Sequence, residues 1–400
     1  MQKFVPNFYL FLWCIYVLQN ALFSSMGFIL VIILMILLGV SLLCTINLVG
    51  IGFKYSYFKG VNILLIMFIV YGVFLMMDVG YIEAAEMKIP TYYYIKDVLV
   101  SFLPVYAFYY MTKRYKVSDS QMKLWIFVFV IVAIICFFDQ EARRLVAHNN
   151  AEEITNNAGY VIITLIPYML FFRKKLAIKY MGLLVCMFFV LMSMKRGAVL
   201  IGFLCILIVF LNSIKTTLKR NKLLMIFIIA MAVMTTIVII YYFLTTSEMF
   251  TTRIEQTEEG DDSNRTLIYT TILTLISNSD LVNVLFGNGA YASMRAIEYA
   301  AHNDWLEIAY AQGLFGVIIY LVYWRLSYLT WKRYTGESHY KLMIGLTFLI
   351  LFFKTFFSMS YAMIPFYSSC LIGYCLAKGD EKKVVKYKPV KRKIKQLESK

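Results

Sequence analysis

Apolar blocks separated by short polar segments run through the whole chain. Met26–Ile46, Leu223–Leu244 and Leu342–Phe353 contain no charged residue at all. A bilayer core about 30 Å thick requires roughly 20 apolar residues per helix, and the blocks repeatedly have that length. The pattern therefore predicts an all-α polytopic membrane protein with about twelve transmembrane helices. The predicted spans lie near residues 7–23, 26–46, 61–79, 97–112, 124–138, 158–172, 176–194, 198–214, 223–244, 314–331, 342–358 and 362–377.

Composition supports the membrane interpretation. Apolar residues make up 61% of the 400 residues and charged residues only 16%, too few to cover the surface of a soluble domain of this length. All seven cysteines fall inside apolar blocks, where they behave as small buried hydrophobes and not as disulfide partners or metal ligands. The net charge of +16 lies at the ends of the blocks and in the tail 382–400, which is typical of contact with anionic lipid and not of nucleic-acid binding.

Basic residues in the connections predict the orientation of the chain. Five connections rich in Lys and Arg alternate with less basic ones, and the basic tail falls on the same side as these five. Because basic loops stay in the cytoplasm, both termini are predicted to be cytoplasmic. The basic connections contain Lys54 and Lys59; Lys113, Arg114, Lys116 and Lys123; Arg173, Lys174 and Lys175; Lys215, Lys219, Arg220 and Lys222; and Lys332, Arg333 and Lys341.

The longest connection is predicted on the extracytoplasmic side, between spans 9 and 10. It covers residues 245–313, begins with an acidic stretch, and has helix-like patterns at Thr266–Ile276 and Asn303–Ala311. The chain is accordingly divided into spans 1–9 at 1–244, this loop at 245–313, spans 10–12 at 314–379, and a basic cytoplasmic tail at 380–400.

Two cations occupy a short turn between the seventh and eighth predicted spans. Lys195 and Arg196, followed by Gly197, lie on the predicted outer side, where basic residues are not expected. Ionisable residues at a membrane edge either snorkel to the interface or serve a function. The planar guanidinium of Arg196 is suited to binding phosphate there.

A second candidate site lies at the end of the long loop, in the segment from Ala301 to Glu307. Asp304 is predicted as the N-cap of a short helix with Glu307 three residues on, and Gly313 is predicted to end that helix. His302 then comes just ahead of the helix. A histidine in this position can accept a proton from a hydroxyl group, although a lone histidine is more often structural.

Three further features are weaker on their own. Arg265 precedes an amphipathic stretch, and Arg295 follows the segment Leu285–Gly289, whose glycines indicate a turn and not a phosphate loop. Lys354 lies inside the eleventh predicted span, where it either snorkels or lines a polar cavity. No spacing of His, Cys or carboxylate residues is typical of a metal site, so neither a metal nor another cofactor is expected.

Taken in order, these motifs resemble the O-antigen ligase and polymerase family, which includes the Wzy-type polysaccharide polymerases. The resemblance covers roughly residues 190–330 and rests on the Arg196-Gly197 turn, on Arg265 with Leu285–Gly289, and on His302–Glu307 followed by Gly313 and Gly316. The family often has a serine directly before the arginine of the turn, whereas this chain has Lys195 there and Ser193 two residues earlier.

The resemblance implies glycosyl transfer at the outer face of the bacterial cytoplasmic membrane, without metal or cofactor. The donor would be a glycan on undecaprenyl diphosphate, and the acceptor another lipid-linked repeat unit in a polymerase or lipid A-core in a ligase. Arg196 and Arg265 would then bind the diphosphate, with Arg295 and Lys195 as further candidates. His302 would orient or deprotonate the acceptor hydroxyl, supported by Glu307 or Asp304. A flippase and a chain-length regulator are candidate protein partners.

A transporter is the alternative from a different class, because twelve spans with both ends inside are also common in carriers. Carriers usually show two related halves and polar sites at the midplane, whereas this chain has one asymmetric loop and motifs at the membrane edge. Polymerase and ligase share the motifs, and the composition, rich in Lys, Ile and Tyr, favours a polymerase of a capsule or exopolysaccharide locus.

Overall fold

The computed structural model describes residues 4–22, 27–51, 55–84, 87–146, 156–217, 265–359 and 364–385. These residues are almost entirely helical. The α-helices are α1 (Phe4–Leu22), α2 (Phe28–Ile51), α3 (Ser56–Asp78), α4 (Tyr92–Tyr115), α5 (Asp119–Val146), α6 (Ala158–Ile163), α7 (Leu176–Met192), α8 (Arg196–Thr217), α9 (Arg265–Ser277), α10 (Leu281–Phe286), α11 (Ala292–Ile297), α12 (Asp304–Ala311), α13 (Gly313–Lys332), α14 (Ser338–Phe357) and α15 (Phe366–Val385).

Six helices in the described part of the chain are long and apolar enough to cross a membrane: α2, α3, α5, α8, α13 and α14. Shorter apolar helices cover 4–19, 158–172 and 176–192. Exposed large apolar side chains on α2 and α3, such as Met35 and Met77, have the distribution of a surface that faces lipid. The protein is therefore an all-α polytopic membrane protein; the number twelve and the orientation stay predictions.

Eleven predicted spans coincide with helices, and the ninth, at 223–244, lies outside the described residues. So do the short turns predicted near residues 24 and 360, the acidic start of the long loop, and the tail beyond residue 385.

The sixth predicted span, 158–172, is not one regular helix. α6 ends at Ile163, a turn at Thr164–Leu165 follows, and residues Ile166–Phe172 form a 3₁₀ helix. Pro167 explains the break, because proline has no N–H to donate to the carbonyl four residues earlier and its ring clashes with that turn.

A small β-hairpin, absent from the sequence prediction, joins α3 to α4. Strand β1 (Tyr81–Ala84) pairs antiparallel with β2 (Met87–Pro90), with Ile82 opposite Ile89 and Glu83 opposite Lys88. Ile82 is buried while Glu83 and Lys88 are exposed and lie 3.6 Å apart, so the hairpin alternates inward apolar and outward polar residues.

Several predicted basic connections meet at one end of the helical bundle. Arg173 contacts Glu337 at 3.0 Å, and Lys113 contacts the buried Asp380 at 3.3 Å. Asp119, at the start of α5, accepts hydrogen bonds of 2.6 Å from the hydroxyls of Tyr340 and Tyr374. These contacts bring together the α4–α5 connection, the connection that precedes α7, the α13–α14 connection and α15. They lie at the end of the bundle opposite the one that carries the motif segments.

Two close backbone contacts at glycine hold the short helices α10 and α12 against each other and against the start of α13. A Cβ on Gly287 would lie 2.3 Å from the carbonyl oxygen of Ala311, and one on Gly313 would lie 2.6 Å from the backbone of Gly287 and of Leu285. Asn288 and Gly289 donate backbone hydrogen bonds of 2.9 Å to Tyr310 and Ala311. The glycine-rich turn thus satisfies carbonyl groups at the end of α12 that would otherwise lack partners.

Replacing Gly313 with alanine is expected to destabilise the protein. The residue has φ of +64°, a left-handed conformation that costs a residue with a Cβ about 1–2 kcal/mol, and the added Cβ would also collide with the backbone of Leu285 and Gly287. The thermal unfolding midpoint of purified Gly313→Ala in detergent should fall clearly below that of the wild type. Gly80→Ala is the control, because nothing lies within 4 Å of a Cβ there; equal losses in both variants would contradict the explanation.

Candidate functional site

His302 lies in the connection that enters α12, and its backbone is left-handed. Its φ is +52° and its side chain is exposed. Such a conformation is uncommon for a residue other than glycine and is concentrated at functional sites and tight turns. The cap of the helix differs from the prediction: Asn303, not Asp304, is the N-cap, and its Oδ1 accepts hydrogen bonds from the backbone of Trp305 (2.9 Å) and Leu306 (3.3 Å).

Since Asn303 caps the helix, Asp304 is its first residue and turns into the protein. Asp304 is fully buried, and its Oδ2 accepts a hydrogen bond of 2.7 Å from the hydroxyl of Tyr320 on α13. It also interacts electrostatically with Lys354 on α14. The neighbouring Trp305 donates from Nε1 to Oγ1 of Thr355 at 3.0 Å. Two successive residues of α12 therefore fix this helix to two membrane helices.

Glu307 is also buried, and it holds the connection that precedes His302. Its Oε2 accepts hydrogen bonds from Ser293 Oγ at 2.5 Å and from the backbone N–H of Ala301 at 3.2 Å. Glu307 therefore does not bond back to the cap residue itself, as a capping box would require. It accepts its hydrogen bond from Ala301, two residues before the cap Asn303. Burial raises the pKa of Glu307 above its ordinary value, and the two hydrogen bonds partly offset that effect.

Lys195, Arg196 and Gly197 form the entry to α8. Met194, just before them, is left-handed with φ of +53°, and Arg196 is the first residue of the helix, with an exposed side chain. The N-terminus of a helix carries a partial positive charge that repels cations and attracts anions. Two cations at this helix end therefore create a local excess of positive potential that favours an anion.

Tyr160 at the start of α6 is the point where two motif segments meet the last turn of α14. A Cβ on Gly197 would lie 2.4 Å from the Tyr160 hydroxyl and 2.7 Å from Cβ of Phe357, so the absence of a side chain lets α8 approach both. Arg265 interacts electrostatically with Tyr160. The Tyr160 hydroxyl also lies 3.4 Å from the carbonyl oxygen of Phe357, in the last turn of α14.

That same last turn of α14 carries Thr355, which accepts a hydrogen bond from Trp305 of α12, and Lys354, which interacts electrostatically with Asp304. The turn Lys354–Phe357 is consequently in contact with the His302 helix on one side and with Tyr160 and Gly197 on the other. The structure brings the Arg196 turn, Arg265 and the His302 segment to one end of the bundle, which agrees with their placement on the same predicted side of the membrane.

Arg295 is paired with groups of the protein itself. Its guanidinium donates to the backbone carbonyl of Asn288 at 2.5 Å and to Asp78 at 3.5 Å. It therefore fixes the glycine-rich turn to the end of α3, and its charge is matched by protein acceptors.

Sequence reasoning did not identify Tyr160, Tyr320 or Ser293 as parts of this site. Tyrosines are abundant in this chain, so no local signal marks Tyr160 or Tyr320. Lys354 did carry a signal, because a lysine inside an apolar span is unusual, but its partner on α12 is evident only from the structure. Within the described ranges, His, Cys, Asp and Glu side chains form no group of three or more that could hold a metal ion.

Comparison with known families agrees with the motifs. Residues 181–321 match a family model described as O-antigen ligase. The matched segment contains the Arg196 turn, Arg265 and the His302 helix, and it confirms the family resemblance that these motifs indicate. Tyr160 and Lys354 lie outside the matched segment. No curated protein matches the chain.

Glu307→Gln should flatten the pH dependence of stability. A carboxyl group whose pKa is raised in the folded state favours folding most at low pH, and that contribution is lost as the pH rises through the folded-state pKa. Glutamine stays neutral, and its side-chain oxygen can accept both hydrogen bonds. Between about pH 5 and about pH 8, the unfolding midpoint of the wild type should therefore fall relative to that of Glu307→Gln.

The exposed Glu298 of the same segment provides the control, since Glu298→Gln should keep the pH profile of the wild type. Superimposable profiles for the wild type and Glu307→Gln would show that the carboxyl group is not held in a desolvated state.

Proposed function

We propose that this protein polymerises oligosaccharide repeat units carried on undecaprenyl diphosphate at the outer face of the bacterial cytoplasmic membrane. The observation that carries the proposal is the meeting of the Arg196 turn, Arg265 and the His302 helix around Tyr160 and the last turn of α14. A family match over residues 181–321 supports a function of the O-antigen ligase and polymerase type. The products would be O-antigen, capsular polysaccharide or exopolysaccharide.

The cations of the site suit the diphosphate of the donor. Arg196 and Lys195 lie at the positive end of α8, and Arg265 approaches the same region through Tyr160. Arginine offers a planar, permanently charged fork that matches phosphate oxygens. Of the candidate arginines, Arg295 is the weakest for this role, because Asn288 and Asp78 already accept its hydrogen bonds.

His302 is suited to act on the acceptor hydroxyl. Its imidazole is exposed at the edge of the membrane helices, and its backbone is held by Asn303 on one side and by Ala301 with Glu307 on the other. Asp304 and Glu307 are both buried, which favours a supporting role in which they fix His302 without touching the substrate.

The proposed reaction needs positioning and charge neutralisation. The acceptor hydroxyl oxygen forms a bond to the anomeric carbon of the donor while the bond from that carbon to the diphosphate oxygen breaks. His302 takes the hydroxyl proton, and the lipid diphosphate leaves with its negative charge balanced by Arg196 and Arg265. Groups fixed before the reaction, as here by buried hydrogen bonds, accelerate such a step most.

Ligation is the second candidate function, favoured by the description of the matched family as O-antigen ligase. A ligase would use the same donor site and transfer the glycan to lipid A-core. The two functions are separated by the product that a deletion strain accumulates: single-repeat glycans indicate lost polymerisation, whereas long polymer that stays unlinked indicates lost ligation.

Arg196→Ala should abolish detectable long-chain glycan while protein abundance stays near normal. Removing one donor that stabilises developing charge typically lowers the rate about 10²–10³-fold, and Arg196 is exposed, so its loss leaves the core intact. The measurement is glycan chain length in a complemented deletion strain, with abundance measured by immunoblot. Arg173→Ala is the matched control, because Arg173 pairs with Glu337 at the opposite end of the bundle. Full-length product at the normal rate in the Arg196→Ala strain would refute the phosphate role.

His302→Gln and His302→Asn should both lose activity by about 10²–10⁴-fold, the usual contribution of general acid–base catalysis. Asparagine tolerates the left-handed backbone of this position, so His302→Asn removes the imidazole with little added strain. His339→Gln, at the other end of the bundle beside Arg173, is the control and should retain activity. Activity retained by His302→Asn would mean that only the backbone conformation matters.

A further inference from the structure

Lys354 is a buried cation that the proposed reaction does not use. It lies in the last turn of α14, a helix long and apolar enough to cross the membrane, and only 6% of the residue is exposed. Burying a charged side chain is costly unless it is paired, and buried ionisable residues in membrane helices usually have a function.

The Lys354 ammonium interacts with groups from different parts of the chain. It interacts electrostatically with the fully buried Asp304. It also lies 5.8 Å from the centre of the Tyr160 ring, within the range of a cation–π interaction. Asp304 comes two residues after His302, and Tyr160 contacts the Arg196-Gly197 turn.

The geometry points to Lys354 as a positioning residue of the glycosyl-transfer site. It would hold Asp304, and with it His302, at a fixed position relative to the cations around Tyr160. This inference rests on the proposed function. A buried ion pair seldom adds net stability over well-packed apolar residues, whereas it does fix two elements at a defined distance. A neutral residue of the same size at position 354 would fill the space without fixing the distance between α12 and α14.

Hydrogen bonds with Tyr320 of α13 and with Thr355 of α14 hold the same turn of α12. Tyr320 donates to Asp304 Oδ2 at 2.7 Å, and Trp305, the residue after Asp304, donates to Thr355, the residue after Lys354, at 3.0 Å. An electrostatic interaction and an adjacent hydrogen bond thus join α12 to α14. They prevent the His302 end of α12 from rotating independently of the membrane helices.

The test compares Lys354→Met, Asp304→Asn, the double variant and Lys354→Arg in purified protein reconstituted with a lipid-diphosphate-linked glycan. A misplacement of about 1 Å at a catalytic group can cost about 10²-fold in rate. Each single neutral variant should lose about 10²-fold in kcat, with KM for the donor changed by less than about threefold. Since the two residues act as one unit, the double variant should lose about 10²-fold and not 10⁴-fold. Lys354→Arg, which keeps the charge, should retain most of the activity.

Unfolding midpoints of the same four proteins provide a readout that does not depend on activity. Removing one member of a buried pair leaves an uncompensated charge, so each single neutral variant should melt earlier than the double variant. Lys179→Met is the matched control: Lys179 is a buried lysine on α7 that donates to Ser213 at 2.6 Å, far from α12 along the chain. It should alter stability without the loss of kcat seen for Lys354→Met.

Three outcomes would overturn the inference: additive losses in the double variant, full activity in Lys354→Met, or a large rise in donor KM, which would make Lys354 a direct phosphate ligand. Failure of the proposed function is recognised separately. In that case the wild type transfers no glycan in the same assay, while the unfolding midpoints still report whether Lys354 and Asp304 are coupled.

Discussion

A carboxylate buried at the first turn of a short helix determines how the candidate site is assembled. Asp304 is surrounded by the Tyr320 hydroxyl, by Lys354, and by the N-terminal end of its own helix, whose partial positive charge stabilises an anion. Because a desolvated carboxylate is tolerated only while such partners stay in place, α12 has one orientation that satisfies it. The position of His302, two residues earlier, follows from that orientation.

Glycine is the second constraint, because the motif segments can meet only where backbones approach closely. At Gly197 the space for a side chain is already filled by Tyr160 and Phe357, and at Gly287 it is filled by the backbone of Ala311 and Gln312. The two positions act on different connections: the first brings the cationic turn against α6 and α14, and the second brings the glycine-rich turn against the end of α12. The motif glycines therefore have a packing explanation that is independent of any phosphate-binding loop.

Local patterns in the sequence predicted the helices far better than their contacts. Each predicted span within the described residues coincides with a helical segment, because lipid imposes the same length requirement on each helix separately. Apolar length failed to place the break at Pro167, whose effect on the hydrogen bonds of α6 is invisible to a count of apolar residues. Likewise the motif suggested Asp304 as the helix cap, whereas Asn303 takes this role because the Asp304 carboxylate finds stronger partners in the bundle.

Some features of the candidate site cost stability. Cations lie on the unfavourable end of α8, and Met194 and His302 hold left-handed backbones. Lys116, in the connection between α4 and α5 at the opposite end, has a left-handed backbone as well, so this conformation alone does not mark a site. What distinguishes the Arg196 turn is the pair of cations at a helix N-terminus, where the helix itself disfavours them. The proposed function gives a reason for that arrangement, because a diphosphate bound there would balance the charge of both the helix end and the cations.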